Sequence, residues 1–336
     1  MGDLLIKSNT CIEELERISR LYNAHCEILD WATEDLVALR ELNLRIEQEG
    51  PSSVDPPGQL WDLIKKADIL IVHFCPVSGD LIKSAPCLKL IATLRTGTSN
   101  IDKEAAKAGG VDVINLPGRL SDAVSELTIG LIFTATRGIA RAHEALRQGK
   151  WMNDFTETDW YFELSGRTIG LIGFGDIGRK VAHRLSPFNV KILVFDPFVT
   201  TKMIENHDSE KVDLEKLLSE SDIVSIHSNL NDSTRGMIGE REFDLMKTSG
   251  FLINTSRAEI VQKSALYKAL SHKSIAGAAM DVFWQEPADP DDPLLHLDNI
   301  VVTPHLGGTL KDTLYKSIFK LNQRLIPYYE KLSNIK

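Results

Sequence analysis

Two kinds of hydrophobic spacing alternate along the chain. Short aliphatic and β-branched runs read as strands: LLI at 4–6, EIL at 27–29, ILIVHF at 69–74, LIAT at 90–93 and VDVIN at 111–115. Between them apolar residues recur at helical spacing, as in IEELERISRLY at 12–22. The stretch GPSSVDPPG at 50–58 reads as a surface loop from its Pro, Gly and Ser content. Strands separated by amphipathic stretches predict parallel sheets with helical crossovers, an α/β architecture.

The pattern changes at Pro117–Gly118. A long helical stretch is expected from Ser121, as N-cap, to Gly149, with Leu127, Leu131, Ile132 and Ala135 forming a core or dimer stripe. A tighter series of strands follows: TIGLIGFG, VKILVFD, IVSIH, FLINTS, AGAAMDV and NIVVTPH. The amphipathic tail from about Thr309 has no strands of its own to cover, so it is expected to return to the first domain. The expectation is two doubly wound parallel-sheet domains, residues 1–116 with 307–336 and residues 117–306.

Composition narrows the class. An apolar fraction of 43% and a charged fraction of 25% exclude a disordered or fibrous chain. No apolar run reaches the roughly 20 residues that span a bilayer, and MGDLLIKSNT lacks the layout of a secretory signal. A net charge of −9 disfavours nucleic acid as a partner. Cys11, Cys26, Cys75 and Cys87 contain no C-x-x-C pair and read as free thiols, which points to the cytoplasm. No metal site is expected.

The strongest local motif is Gly173-Phe-Gly175-Asp176-Ile177-Gly178, preceded by the strand TIGLI and followed by the helical RKVAHRL. The first glycine permits a tight turn, the second lets backbone approach a pyrophosphate, and the third lets helix pack on strand. The helix N-terminus offers N–H donors to phosphate. The next strand ends at Asp196, whose carboxylate suits two ribose hydroxyls and repels a 2′-phosphate. The reading is NAD, not NADP.

Hydride transfer from a hydroxy acid also needs a cation for the carboxylate, a base for the hydroxyl and a partner for the base. Arg257 in INTSRAEI, Glu286 in DVFWQEP and His305 in VVTPHLGG follow successive strands, whose carboxyl ends gather along one sheet edge.

Together with Gly97-Thr-Ser-Asn100-Ile-Asp102, Asn115-Leu-Pro117-Gly118 and Val124-Ser-Glu126, these motifs resemble the D-isomer-specific 2-hydroxyacid dehydrogenase family over about Ile69 to Leu310. That family includes 3-phosphoglycerate, glycerate and D-lactate dehydrogenases. The resemblance implies a Rossmann NAD-binding domain and a discontinuous, flavodoxin-like substrate domain in a homodimer. It implies that Arg257 grips the substrate carboxylate, and that His305 exchanges the hydroxyl proton. Glu286 then orients the imidazole and favours its protonated form. It assigns Asp281 to the nicotinamide carboxamide, backbone at Thr96 and Gly97 to the substrate carboxylate, and Ile177 and Gly178 to the pyrophosphate. Asp176, His227, Thr234, Thr255 and Gly308 complete the implied cofactor contacts. Two positions depart from the family pattern: Ala258 stands where Gly is usual, and Asn229 where Pro is usual.

The substrate is a 2-hydroxy or 2-oxo acid whose side chain the motifs leave open. Arg95 either meets a second anionic group such as a phosphate, phosphonate or distal carboxylate, with help from Arg119, or points to solvent or pairs with Asp102 or Glu104. Rival readings are a dinucleotide-sensing corepressor-like protein, against which the complete Arg, Glu and His motifs argue, and a phosphite-type dehydrogenase. Glu286 argues against formate chemistry, where Gln takes its place.

Overall fold

The computed structural model describes residues 1–7, 12–31, 33–151, 160–308 and 310–333, so Cys11 and Thr309 lie outside the described residues. Contacts divide the chain into two compact units, Met1–Arg119 with Leu310–Lys336, and Leu120–Thr309. The expected boundaries lay at residues 116 and 307.

In the first unit β1 (Ile69–Val72), β2 (Leu90–Thr93) and β3 (Asp112–Ile114) form a parallel sheet in that order. Side chains of a strand alternate between faces. Ile91 accordingly joins one core with Leu39, Ile46, Leu60 and Leu81, and its neighbours Leu90 and Ala92 join another with Ile18. The tail helix Lys311–Ser333 seals that second core with Ile318, Leu321 and Leu325.

The runs at 4–6 and 27–29, expected as strands, form none. Among the described residues a single bridge, Gly2 to Asp30, is the pairing there. In the first run the cause is Asp3, whose Oδ1 accepts the N–H of Leu5 at 2.9 Å and of Ile6 at 3.1 Å, bending the backbone where a strand would run straight.

The second unit carries β4 (Thr168–Ile172), β5 (Lys191–Phe195), β6 (Glu210–Lys211), β7 (Ile223–Ile226), β8 (Phe251–Asn254), β9 (Gly277–Met280) and β10 (Ile300–Val302). They form one parallel sheet in the order β10-β9-β8-β7-β4-β5-β6. Strand order reverses between β4 and β7, the switch point where such sheets bind ligands at their carboxyl ends. The inner strands read as unbroken apolar runs because helices cover both faces. Val224 and Leu252 pack with Leu217 and Leu266 on one face, and Ile223 and Ile253 pack with Ile132 and Val181 on the other.

The helix expected over 121–149 is two helices, Ser121–Thr136 and Ile139–Arg147, bent by 66°. Gly138 breaks them with φ 59, a left-handed conformation that costs glycine little. Ser121 is the first helical residue, and Leu120 takes the cap position. Leu131, Ile132 and Ala135 are buried core, with Leu127 packed against them. No single helix among the described residues is long and apolar enough to cross a membrane.

Gly138 yields a stability prediction. A Cβ there would lie 2.1 Å from the Tyr161 hydroxyl, on a backbone already at positive φ. Gly138→Ala should lower unfolding stability by about 1–3 kcal/mol, the range for overpacking, as read by chemical denaturation. An unchanged midpoint would show that this break does not depend on glycine.

Candidate active site

The glycine turn sits at the carboxyl end of β4. Gly173 has φ 95, and a Cβ on it would lie 2.6 Å from the backbone N of Ser228, so only glycine fits this crossing beside β7. A Cβ on Gly178 would lie 2.4 Å from the Gly173 carbonyl oxygen. Nothing lies within 4 Å of where a Gly175 Cβ would be, so backbone there is open to a ligand. Asp176 opens the helix Asp176–Leu185 and pairs with Arg179 at 2.6 Å. Ile177 packs against the core that contains Val181.

Asp196, just past β5, already organises the backbone around it. Its Oδ2 accepts the Phe174 N–H at 2.8 Å, and its Oδ1 accepts those of Phe198 at 2.8 Å and Val199 at 3.1 Å. The carboxylate thus holds the glycine turn in place and keeps a lone pair for a ligand hydroxyl. Ser228 Oγ is buried without a hydrogen-bond partner beside the same turn. An orphaned polar atom, an open glycine backbone and a strand-end carboxylate together fit a dinucleotide.

Thr255 and Asp281 directly follow β8 and β9. Thr255 Oγ1 lies 3.0 Å from Thr128 Oγ1, whose own proton goes to the Val124 carbonyl at 2.8 Å. Thr255 is therefore the donor in that pair and retains an acceptor lone pair. Asp281 is 1% exposed. Its Oδ1 accepts from Thr303 Oγ1 at 2.6 Å and Leu306 N–H at 2.8 Å, and its Oδ2 from Gly307 N–H at 2.9 Å. This clamp on the loop carrying His305 has no signature in sequence beyond an acid closing an apolar strand.

His305 has φ 53 and places Nδ1 2.8 Å from Glu286 Oε2. Glu286 Oε1 accepts the Phe283 N–H at 3.0 Å, which fixes the carboxylate from behind. A carboxylate only accepts, so the imidazole carries its proton on Nδ1 and offers the Nε2 lone pair. Arg257 is exposed, donates Nη1 to the Ser256 carbonyl at 2.7 Å and forms no ion pair among the described residues. Ala258 is buried at the start of a short 3-10 turn and needs no positive φ, so the departure from glycine leaves this loop unstrained.

Three further residues of the implied cofactor set lie in the second unit. Thr234 Oγ1 donates to the Asn229 carbonyl at 2.7 Å and accepts the Asn231 N–H at 2.9 Å, closing a turn. A Cβ on Gly308 would meet Leu120 at 2.8 Å. His227 bonds through Nε2 to Ser225 Oγ at 2.9 Å, and burial pushes its pKa down to about 4.

In the first unit, Thr96 Oγ1 donates to the Leu116 carbonyl at 3.4 Å, and space beside Gly97 is open. Arg95 neither faces solvent nor pairs with Asp102 or Glu104. Its Nη2 contacts the Glu47 carboxylate, and its guanidinium stacks 4.8 Å over the Phe74 ring. Asp102 is unavailable because its carboxylate caps the helix Lys103–Ala108 at the Ala105 N–H. Cys75 is buried and its thiol is pushed up to about 12 by desolvation.

A glycine turn at the switch point of a parallel sheet, in a unit that also holds a carboxylate–imidazole pair, is the makeup of a dinucleotide-dependent dehydrogenase. The model of the family described as D-isomer specific 2-hydroxyacid dehydrogenase, NAD binding domain, matches residues 129–307. The glyoxylate reductase of Korarchaeum cryptofilum is 36% identical over 282 residues, 81% of this chain and 83% of that protein. The D-3-phosphoglycerate dehydrogenase of Methanocaldococcus jannaschii is 38% identical over 256 residues, 76% of this chain and 48% of that one. D-lactate dehydrogenase of Lactobacillus jensenii, solved with NAD+, shares the fold at TM-score 0.75 and 23% identity, over 98% of this chain and 96% of that one. The chain belongs to the D-isomer-specific 2-hydroxyacid dehydrogenase family, and is an NAD-dependent oxidoreductase acting on CH–OH groups.

The lowered pKa of His227 predicts a pH dependence of stability. Unfolded, the imidazole binds a proton below about 6.5, and folded it does so only below about 4. Across that window the unfolded chain holds more protons, so stability falls as pH is lowered, by about 2 kcal/mol at pH 5. Denaturant titrations at pH 7 and 5 should show this loss, reduced in His227→Gln. An equal loss in the variant would place the titrating group elsewhere.

Proposed function

We propose that this dehydrogenase interconverts a D-2-hydroxy acid and its 2-oxo acid, with a substrate that carries a second anionic group. The first unit then serves as substrate domain and the second binds NAD, in a cytoplasmic homodimer. The observation that carries the reading is the His305–Glu286 pair at 2.8 Å, with Nε2 left free.

NAD, when bound, supplies the hydride acceptor. His305 Nε2 accepts the hydroxyl proton as the C–H bond gives up its hydride and the carbonyl forms. In reduction the imidazolium returns that proton to the nascent alkoxide. Glu286, held by the Phe283 N–H, keeps the ring oriented and stabilises its charged form. Arg257 has no internal counter-ion among the described residues, and its planar fork matches a carboxylate bidentately. Asp281 Oδ2 and Thr255 Oγ1 keep acceptor capacity suited to a carboxamide N–H2. Arg95 and Arg119 support the second anionic group, as does the likeness to phosphoglycerate dehydrogenases. NADH absorbance with a panel of 2-oxo acids tests the whole reading, and absence of turnover with every member would overturn it.

Two variants probe the roles. His305→Ala should lower kcat by on the order of 10²–10⁴, the usual share of a positioned acid–base group. Glu286→Gln should move the pH optimum of 2-oxo acid reduction downward, and an unchanged profile would give Glu286 another task. For the cofactor, Asp196→Ala should let NADP compete. Its effect will also include a loosened glycine turn, because the Phe174 N–H loses its acceptor. Comparable kcat/KM for NAD and NADP in the unmutated enzyme would remove Asp196 as the selector.

A further inference from the structure

A chain of buried polar groups ends the strands of the first unit. His73 follows β1, is fully buried and places Nδ1 2.8 Å from Asp3 Oδ2. With the proton on Nδ1, Nε2 accepts from Arg119 Nη1 at 3.0 Å, and the same nitrogen donates to the Leu94 carbonyl at 2.7 Å. Arg119 is thus anchored. Burial and the charge of Arg95 lower its pKa to about 10, which leaves it cationic at neutral pH.

Arg95, just past β2, is equally fixed. Its side chain is 11% exposed and lies over Phe74. Its two terminal nitrogens differ: Nη2 meets one oxygen of Glu47, and Nη1 is buried with no acceptor. A buried donor without a partner is rare because it forfeits its hydration for nothing. Glu47 is the opposite kind of group. It projects from the helix Leu36–Glu49, is 41% exposed, and among the described residues is otherwise tied only by Asn43 Nδ2 at 3.1 Å. A turn of its side chain releases it to water, whereas Arg95 cannot leave.

We propose that Glu47 is an internal occupant of an anion subsite on Arg95, displaced by the second carboxylate or phosphate of the substrate, and that it thereby sets the preference for dianions over monoanions. The proposal rests on the dianion reading above. Glu47 engages one guanidinium nitrogen, whereas a ligand oxyanion engages two in the bidentate geometry that arginine favours, and so satisfies Nη1 as well. Exchange of one anion for another leaves the local charge balanced. A monoanionic substrate has nothing to put in the place of Glu47.

The test compares kcat/KM for oxaloacetate and phosphohydroxypyruvate with that for pyruvate in wild type, Glu47→Gln and Arg95→Met, with melting temperatures in inorganic phosphate as a readout free of turnover. Glu47→Gln should raise the dianion-to-monoanion ratio about tenfold and enlarge the phosphate-induced shift. Arg95→Met, which keeps the packing on Phe74, should lower that ratio by about 10- to 100-fold and abolish the phosphate shift. Oxaloacetate and phosphohydroxypyruvate separate a carboxylate from a phosphate as the second anion. A ratio unchanged or lowered by Glu47→Gln, with Arg95→Met still lowering it, overturns the displacement and keeps the dianion reading. A ratio untouched by Arg95→Met overturns both.

Discussion

The His305–Glu286 pair depends on a carboxylate that is not part of it. Asp281 lies in the apolar interior at the end of β9, where an unpartnered charge costs several kcal/mol. Three donors compensate it, and all three come from one short loop: Thr303 Oγ1 and the N–H groups of Leu306 and Gly307. Gathering them on one residue forces the intervening chain into a tight turn, with His305 at φ 53. That conformation costs a non-glycine residue about 1–3 kcal/mol, and charge-assisted hydrogen bonds of this kind are strong enough to hold it. The imidazole is delivered to Glu286 by the solvation needs of a buried acid.

The same device recurs at the end of β5. Asp196 gathers the N–H groups of Phe174, Phe198 and Val199, and so couples the glycine turn to the loop that follows its own strand. In the first unit Asp3 gathers those of Leu5 and Ile6 as well as His73. Parallel sheets bring carboxyl ends of strands together without backbone partners, and carboxylates with several lone pairs are efficient organisers of such edges. A residue that reads a ligand there can therefore also be a residue that shapes the loop, and its substitution has both consequences.

This double use explains what was legible in the sequence. Six of the seven strands of the second unit were legible as apolar runs, while the two-residue β6, Glu210–Lys211, carries no such signal, and the glycine turn was legible because close approaches at Gly173 and Gly178 exclude a side chain. The run at 4–6 misled because apolar residues buried by a bend look like those buried by a strand, and the bend belongs to Asp3, whereas in the run at 27–29 Ile28 is exposed and belongs to no core. The helix break was missed because Gly138 interrupts an otherwise unbroken helical period. Arg257, Glu286 and His305 were nameable from their motifs, but the hold of Asp281 on the His305 loop was not. The partner of Arg95 is 48 residues away on another helix, with no local spacing to announce it, while the nearer acid Asp102 is spent on its own helix cap.

Two arginines then face anions under different terms. Arg257 is exposed, held in aim by a single carbonyl and unopposed by any carboxylate among the described residues, so it greets any carboxylate without first surrendering a partner. Arg95 is sandwiched against Phe74 and already matched by Glu47, so an incoming anion gains only the difference between its own contacts and those it displaces. Specificity is a difference of affinities, and an internal competitor is one way to enlarge it. On the proposed reading, the carboxylate common to all 2-hydroxy acids meets the unopposed cation. On the same reading, the group that distinguishes one acid from another meets the cation with a rival in place, and that is where discrimination has something to act on.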